Sequence, residues 1–131
     1  MQLMANCPLR GGKEIVDSYE NFLRGNAHFQ LSCFKFGWMN PWWAMKIDDQ
    51  QRHEFLFPEA LKMRSQDLPD LYCPTGAIWI ARVSQLQVEK TFYGKGHTFF
   101  PIDWKSAVDI DNYEDVDFAK AVFSIIQKNG R

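Results

Sequence analysis

The run Val108-Asp109-Ile110-Asp111-Asn112-Tyr113-Glu114-Asp115 concentrates more potential chemistry than any other part of the chain. In an extended conformation Asp109 and Asp111 are two residues apart, so both carboxylates project to one face while Val108 and Ile110 take the other. Two carboxylates at the end of a buried strand are costly to keep ionised unless water, a proton or a cation compensates them. Mg²⁺, or Mn²⁺ in its place, is the natural compensator, because magnesium accepts one or two protein carboxylates and completes its shell with water and substrate phosphates. The bland alternative is that Asp111 only caps the last helix and Asp109 is a solvated neighbour.

Other residues carry weaker signals. Arg10-Gly11-Gly12-Lys13 has the composition of a phosphate cradle ahead of a helix, but it lacks the full GxxxxGK[ST] pattern and reads better as an ordinary loop-to-helix junction. Arg64, with Ser65, Gln66 and Asp67, could hold a carboxylate through its guanidinium fork, or could belong to a solvated polar loop. Trp79 interrupts an aliphatic run, and Phe92-Tyr93 precede a glycine loop; such rings line ligand pockets or fill cores. His28, His53 and His97 are scattered, with no Cys or Glu at metal-ligand spacing. Cys7, Cys33 and Cys73 form no CxxC pair and are expected to be small buried hydrophobes.

The elements that must position these residues are legible in outline. Gln2-Leu3-Met4 reads as the tail of a strand, with a loop through Asn6 and Pro8. From Lys13 the apolar positions Ile15, Tyr19, Phe22 and Leu23 predict a helix, stopped by Gly25-Asn26. FQLSCFKFGW alternates as a strand with a shift of face or a bulge at Cys33-Phe34. The segment 39–57 suggests two short strands around a turn at Asp48-Asp49-Gln50. AIWIARV predicts a strong strand, and FFPIDWKSAVDID a last extended segment after Gly94 and Gly96. The final helix has Asp111 as its expected cap, Glu114 three residues on, and an apolar stripe of Val116, Ala119, Val122, Phe123 and Ile126. Strands alternating with helices point to one α/β domain with an antiparallel insertion in its middle.

The 131 residues suit a single domain, and a formal net charge of −1 argues against a protein built to grip nucleic-acid phosphates or an anionic membrane. No apolar run approaches the ~20 residues of a membrane span, and the N-terminus lacks the pattern of a signal peptide. With no disulfide framework either, a cytoplasmic home is expected. The aromatic content, 11 Phe, 5 Trp and 4 Tyr, is high for this length, and the predominance of Phe favours core packing for most of them.

Taken together, CPLR at 7–10, RSQDLP at 64–69, PTGAIWIA at 74–81, FY at 92–93 and VDIDNYEDVDFA at 108–119 resemble the acylneuraminate cytidylyltransferases (CMP-sialic acid synthetases) and their relatives acting on other nine-carbon 2-keto acids. The resemblance implies part of a doubly wound, Rossmann-like nucleotidyltransferase sheet with an antiparallel dimerisation insertion, so that 34–57 becomes a candidate surface for a homodimer. It implies CTP and a nine-carbon sugar acid as substrates, with CMP transferred and pyrophosphate released. Asp109 and Asp111 stand as the family's magnesium carboxylates. Trp79, Phe92 and Tyr93 stand in its sugar pocket, Arg64 at the sugar carboxylate, and Gln66 beside it as a substrate contact. Two departures accompany the match. Met4 replaces a glutamine common before the PLR motif, and nothing matches the family's glycine- and basic-rich CTP loop. The chain is therefore expected to resemble the C-terminal part of such an enzyme, with little activity alone. The competing expectations are a non-catalytic sugar-binding or dimer-forming module from the same family and, more distantly, another nucleotide-sugar enzyme using Asp109 and Asp111 as a DxD pair.

Overall fold

The computed structural model describes residues Met1–Lys128, which divide into two compact units: Met1–Phe34 with Pro74 onward, and Lys35–Cys73. The architecture is mixed α/β. Among the described residues no helix is long and apolar enough to cross a membrane.

The larger unit is organised around strand β1 (Phe29–Lys35), which lies between β4 (Tyr72–Ala81) and β5 (His97–Pro101). The β1–β5 pairing is parallel, with Phe29 opposite His97 and Cys33 opposite Pro101. Alternation in β1 suggested one buried face, yet its first five residues are all buried. A central strand is covered on both faces, so its polar residues must find partners inside. The Gln30 Nε2 donates to the Ser18 carbonyl at 2.7 Å and to its hydroxyl at 3.0 Å, and its Oε1 accepts from Asn21 Nδ2 at 2.7 Å. Ser32 Oγ donates to the Thr75 carbonyl and accepts from the Ile78 amide.

Helix α1 (Gly12–Arg24) forms where expected and ends as Gly25 N–H returns to the Asn21 carbonyl at 3.1 Å. Its inward face is narrower than the sequence suggested. Ser18 and Phe22 are buried, and Ile15 packs against the core cluster to which Phe22, Ile78 and Ile80 belong, while Val16, Tyr19 and Leu23 are exposed. The Gln2–Met4 segment contributes an isolated antiparallel bridge to Trp79 of β4, and Met4 crosses Gly76, where a Cβ would collide with the Met4 thioether.

Three expectations need correction. AIWIARV was expected to be extended to Val83, but the strand stops at Ala81 and helix α2 (Val83–Glu89) follows. The Arg82 carbonyl takes the amides of Gln85 and Leu86, and Lys90 closes the helix in the left-handed region, φ 56°. The extended segment expected through Asp111 ends at Pro101; Asp103 Oδ1 then accepts from the Lys105 amide and starts a 3₁₀ turn over Trp104–Ala107. Helix α3 (Tyr113–Lys128) is capped by Asn112 rather than Asp111. Within its expected stripe Ala119 and Val122 are buried, whereas Phe123 is exposed.

The smaller unit contains the expected antiparallel pair, β2 (Met45–Ile47) and β3 (His53–Phe55). Its turn is built by Asp48, whose Oδ1 accepts from the amides of Gln50 and Arg52 while Gln51 adopts φ 63°. Single 3₁₀ turns at Pro41–Trp43 and Pro58–Lys62 are joined by the edge-on approach of Trp42 and Phe57 at 5.0 Å.

Candidate functional site

Asp109 and Asp111 lie in irregular chain between the 3₁₀ turn and α3, not on a strand. The alternation survives without the strand: Val108 is buried and Ile110 half-buried, while both carboxylates are exposed. A single backbone bond, Ile110 N–H to the Asn6 carbonyl at 2.9 Å, ties this stretch to the loop ahead of α1. The same Asn6 donates its side-chain amide to Asp111 Oδ1 at 3.2 Å.

The capping alternative for Asp111 is excluded by the bonds at the head of α3. The Asn112 Oδ1 accepts from the amides of Glu114 and Asp115 at 2.8 and 3.1 Å, and Asp115 Oδ2 accepts in return from the amides of Asp111 and Asn112 at 2.9 Å each. That is a reciprocal capping box displaced one residue from the expected position. It fixes the backbone of Asp111 and leaves its carboxylate outside the cap, where Asn6 holds it. Among the described residues neither Asp109 nor Asp111 has an ion-pair partner, and no group of three or more His, Cys, Asp or Glu residues could hold a metal. Two solvent-facing carboxylates could contribute ligands to a hard divalent ion, which accepts carboxylate oxygens alongside water.

Beneath them lies Cys7, 2% exposed. Burial first, then the Asp109 carboxylate and more weakly that of Asp111, push its thiol above the ordinary 9.0, against the opposing pull of Arg10 and a hydrogen bond with Thr75. The thiol is therefore protonated at neutral pH and unsuited to nucleophilic work. Arg10 is equally committed to structure: its guanidinium donates to the carbonyls of Met4 at 3.1 Å and Ala77 at 2.7 Å, pinning the loop to β4.

Thr75 links the backbone just ahead of the carboxylates to the aromatic residues. Its hydroxyl donates to the Ala107 carbonyl at 3.4 Å, and its own carbonyl accepts from Trp79 Nε1 at 2.8 Å. The Trp79 ring lies 5.2 Å from Phe92 and 5.8 Å from Tyr93. The strip continues from Tyr93 to His97 at 5.8 Å and from His97 to Phe99 at 5.5 Å, both edge-on. The His97 Nδ1 lies 3.1 Å from the Gly94 carbonyl, which can only accept, so Nδ1 is the donor of that bond. Gly94 is required here, since a Cβ would stand 2.5 Å from the Phe29 ring. One unit thus contains Trp79, Phe92, Tyr93, Asp109 and Asp111.

Arg64 and Gln66 belong to the other unit. Arg64 is held by Asp67 at 2.8 and 3.3 Å within its own 3₁₀ turn. Gln66 lines an open depression of about 760 Å³ with Lys35, Trp38, Asn40, Trp43 and Ser65.

Sequence reasoning missed Asn6, Thr75 and His97. Asn6 had a local signal, a polar residue beside Pro8 in a loop between a strand tail and a helix. The roles of Thr75 and His97 depend on partners far away in the sequence.

Over 125 residues, 94% of its length, the chain is 27% identical to two proteins named pseudaminic acid cytidylyltransferase, from Campylobacter jejuni subsp. jejuni serotypes O:23/36 and O:2. The similarity is to cytidylyltransferases. The aligned region is 53% of each relative, so the chain spans about half the length of the curated relatives it matches. No family model matches it.

Proposed function

We propose that the chain is the sugar- and metal-binding portion of a cytidylyltransferase that transfers CMP from CTP to a nine-carbon 2-keto sugar acid. The observation that carries this reading is the pair Asp109 and Asp111: exposed, unpaired with any described cation, released from capping by Asn112, and oriented by Asn6. The similarity to pseudaminic acid cytidylyltransferases supports the reaction class. The mixed sheet with its parallel β1–β5 pair is consistent with part of a nucleotidyltransferase-like fold.

In the proposed reaction the anomeric hydroxyl of the sugar acid attacks the α-phosphorus of CTP. A new oxygen–phosphorus bond forms, the bond to the β-phosphate oxygen breaks, pyrophosphate leaves, and the hydroxyl proton passes to solvent. Such a displacement needs alignment and charge neutralisation more than covalent participation by the protein. Mg²⁺ bound by Asp109 and Asp111 would supply the neutralisation at the phosphates. Asn6 holds the Asp111 carboxylate in orientation. Trp79, Phe92 and Tyr93 offer an apolar wall to the carbon chain and acyl substituents of the sugar. Arg64 and Gln66, expected from the resemblance as sugar-acid contacts, lie in the other unit and are not assigned a place in this site. A homodimer formed through 34–57 belongs to the same proposal.

The exposed Trp38 and the open depression beside Gln66 favour a second reading, a sugar-binding or dimer-forming module without turnover of its own. Pyrophosphate release from CTP, Mg²⁺ and pseudaminic or sialic acid separates the two, and little or none is expected from this chain alone. The metal site is tested by calorimetry with Mn²⁺ and a CMP-sugar: binding is expected, and Asp111→Ala should weaken it at least tenfold. An isotherm unchanged by that substitution would remove Asp111 from the site.

A further inference from the structure

The sugar acid of the proposed reaction brings a carboxylate, and most described cations in the unit of the aromatic strip are already committed. Lys13, Lys105 and Lys120 are ion-paired with Asp17, Asp103 and Asp117. Arg10 and Arg82 donate to backbone carbonyls. Arg24 and Lys128 stand in the last turns of α1 and α3, where a positive charge complements the helix dipole. Lys90 and Lys95 remain. Both are exposed, and among the described residues neither has an ion-pair partner.

The same loop, 90–97, carries these two lysines and the rings of Phe92, Tyr93 and His97. Between Glu89 and Asp103 the chain has Lys90, Lys95 and His97 and no carboxylate, in a protein whose formal net charge is −1. Glu89, which ends α2, is ion-paired with neither lysine. The loop holds its shape through its own bonds. Lys90 turns the chain at φ 56°, and the Thr91 hydroxyl accepts from the Tyr93 amide at 3.1 Å. The His97 amide then closes on the Gly94 carbonyl at 3.2 Å with Gly96 at φ 75°, a tight turn with Lys95 at its leading corner. Lys95 therefore lies in the chain between Tyr93 and His97, whose rings meet at 5.8 Å. Lys90 precedes Phe92, whose ring meets Trp79 at 5.2 Å.

Resting on the sugar-binding reading of the aromatic strip, we propose that loop 90–97 reads the charge of the sugar acid. The ammonium groups of Lys90 and Lys95 take its carboxylate while the carbon chain lies on Trp79, Phe92 and Tyr93. Charge and wall are then presented by one short, self-bonded stretch, and the lysines are what separates an acid from a neutral sugar of the same shape. An ammonium on a flexible four-carbon stem is a compact point charge able to follow a ligand along such a wall. Exposed pairs of this kind confer discrimination more than affinity, and salt screens them.

The experiment titrates the isotope-labelled chain, without metal or nucleotide, with sialic acid and with its methyl ester, which keeps the ring and substituents but not the charge. NMR follows the Trp79 indole N–H and the amides of 90–97. The wild type should bind the acid about fivefold tighter than the ester, the most an exposed ion pair confers, and lose that preference in about 0.5 M salt. Lys90→Gln combined with Lys95→Gln should lower the acid to the affinity of the ester, leave the ester unchanged, and retain circular dichroism and melting. Equal binding of acid and ester by the wild type, or a preference that survives the double substitution, would overturn the inference alone, provided Trp79→Ala weakens both ligands. Absence of shifts with either ligand would overturn it together with the sugar-binding reading beneath it.

Discussion

Asp111 and Asn112 are neighbours with separable roles. Asn112 accepts two amides at the head of α3, so Asn112→Ala should cost about 1 kcal/mol of stability and leave Mn²⁺ binding unchanged. Asp111→Ala should do the reverse, a contrast that thermal melts and calorimetry read side by side. Cys7 provides a pH-dependent counterpart. Its folded thiol binds its proton more tightly than the unfolded chain does, because burial and the carboxylates of Asp109 and Asp111 raise its value above 9.0. The associated stability is present below the unfolded value and is lost as pH rises through the folded one. A melting series from about pH 7 to 11 should therefore fall more steeply for the wild type than for Cys7→Ala. At this scale the sequence located the paired carboxylates but assigned the cap to Asp111, one residue early. Asp and Asn are equally good caps, and only the bonds of Asp115 decide between them.

Among the elements, β4 and the hairpin were legible because aromatic and β-branched runs and turn residues declare themselves locally. The α1 helix was legible in extent but not in orientation, since its periodicity admits a stripe through Tyr19 and Leu23 as readily as one through Ser18 and Phe22. Helix α2 was missed because it has no buried residue and hence no apolar face to detect. The expected strand through 108–111 failed for another reason: alternating burial arises wherever a chain lies along a surface, with or without a ladder. Close approach of elements gives a further test. Gly94→Ala drives a Cβ into the Phe29 ring, which is buried and unable to yield, and should cost about 1–3 kcal/mol in denaturant melts. Gly76→Ala meets only the flexible Met4 side chain and should cost less.

For the whole molecule, near-average composition concealed an uneven distribution of aromatic surface. Trp38 is 89% exposed while Phe29 is wholly buried, a difference that residue counts do not carry. Native-state hydrogen exchange should reflect the two units. Amides of β1 should be the slowest and those of the three-residue strands β2 and β3 among the fastest, because the hairpin has almost no buried side chains; equal protection in both would contradict it. The Gln30 amide has a consequence for assembly. A slip of β1 by one residue would turn Gln30 to the opposite face, abandoning the Ser18 carbonyl and the Asn21 amide it now satisfies. Each group so stranded costs about 1–3 kcal/mol, and an apolar neighbour, Phe29 or Leu31, would be offered to that polar slot instead. The interior thereby proofreads the parallel pairing: only the correct alignment lets the glutamine find its helix.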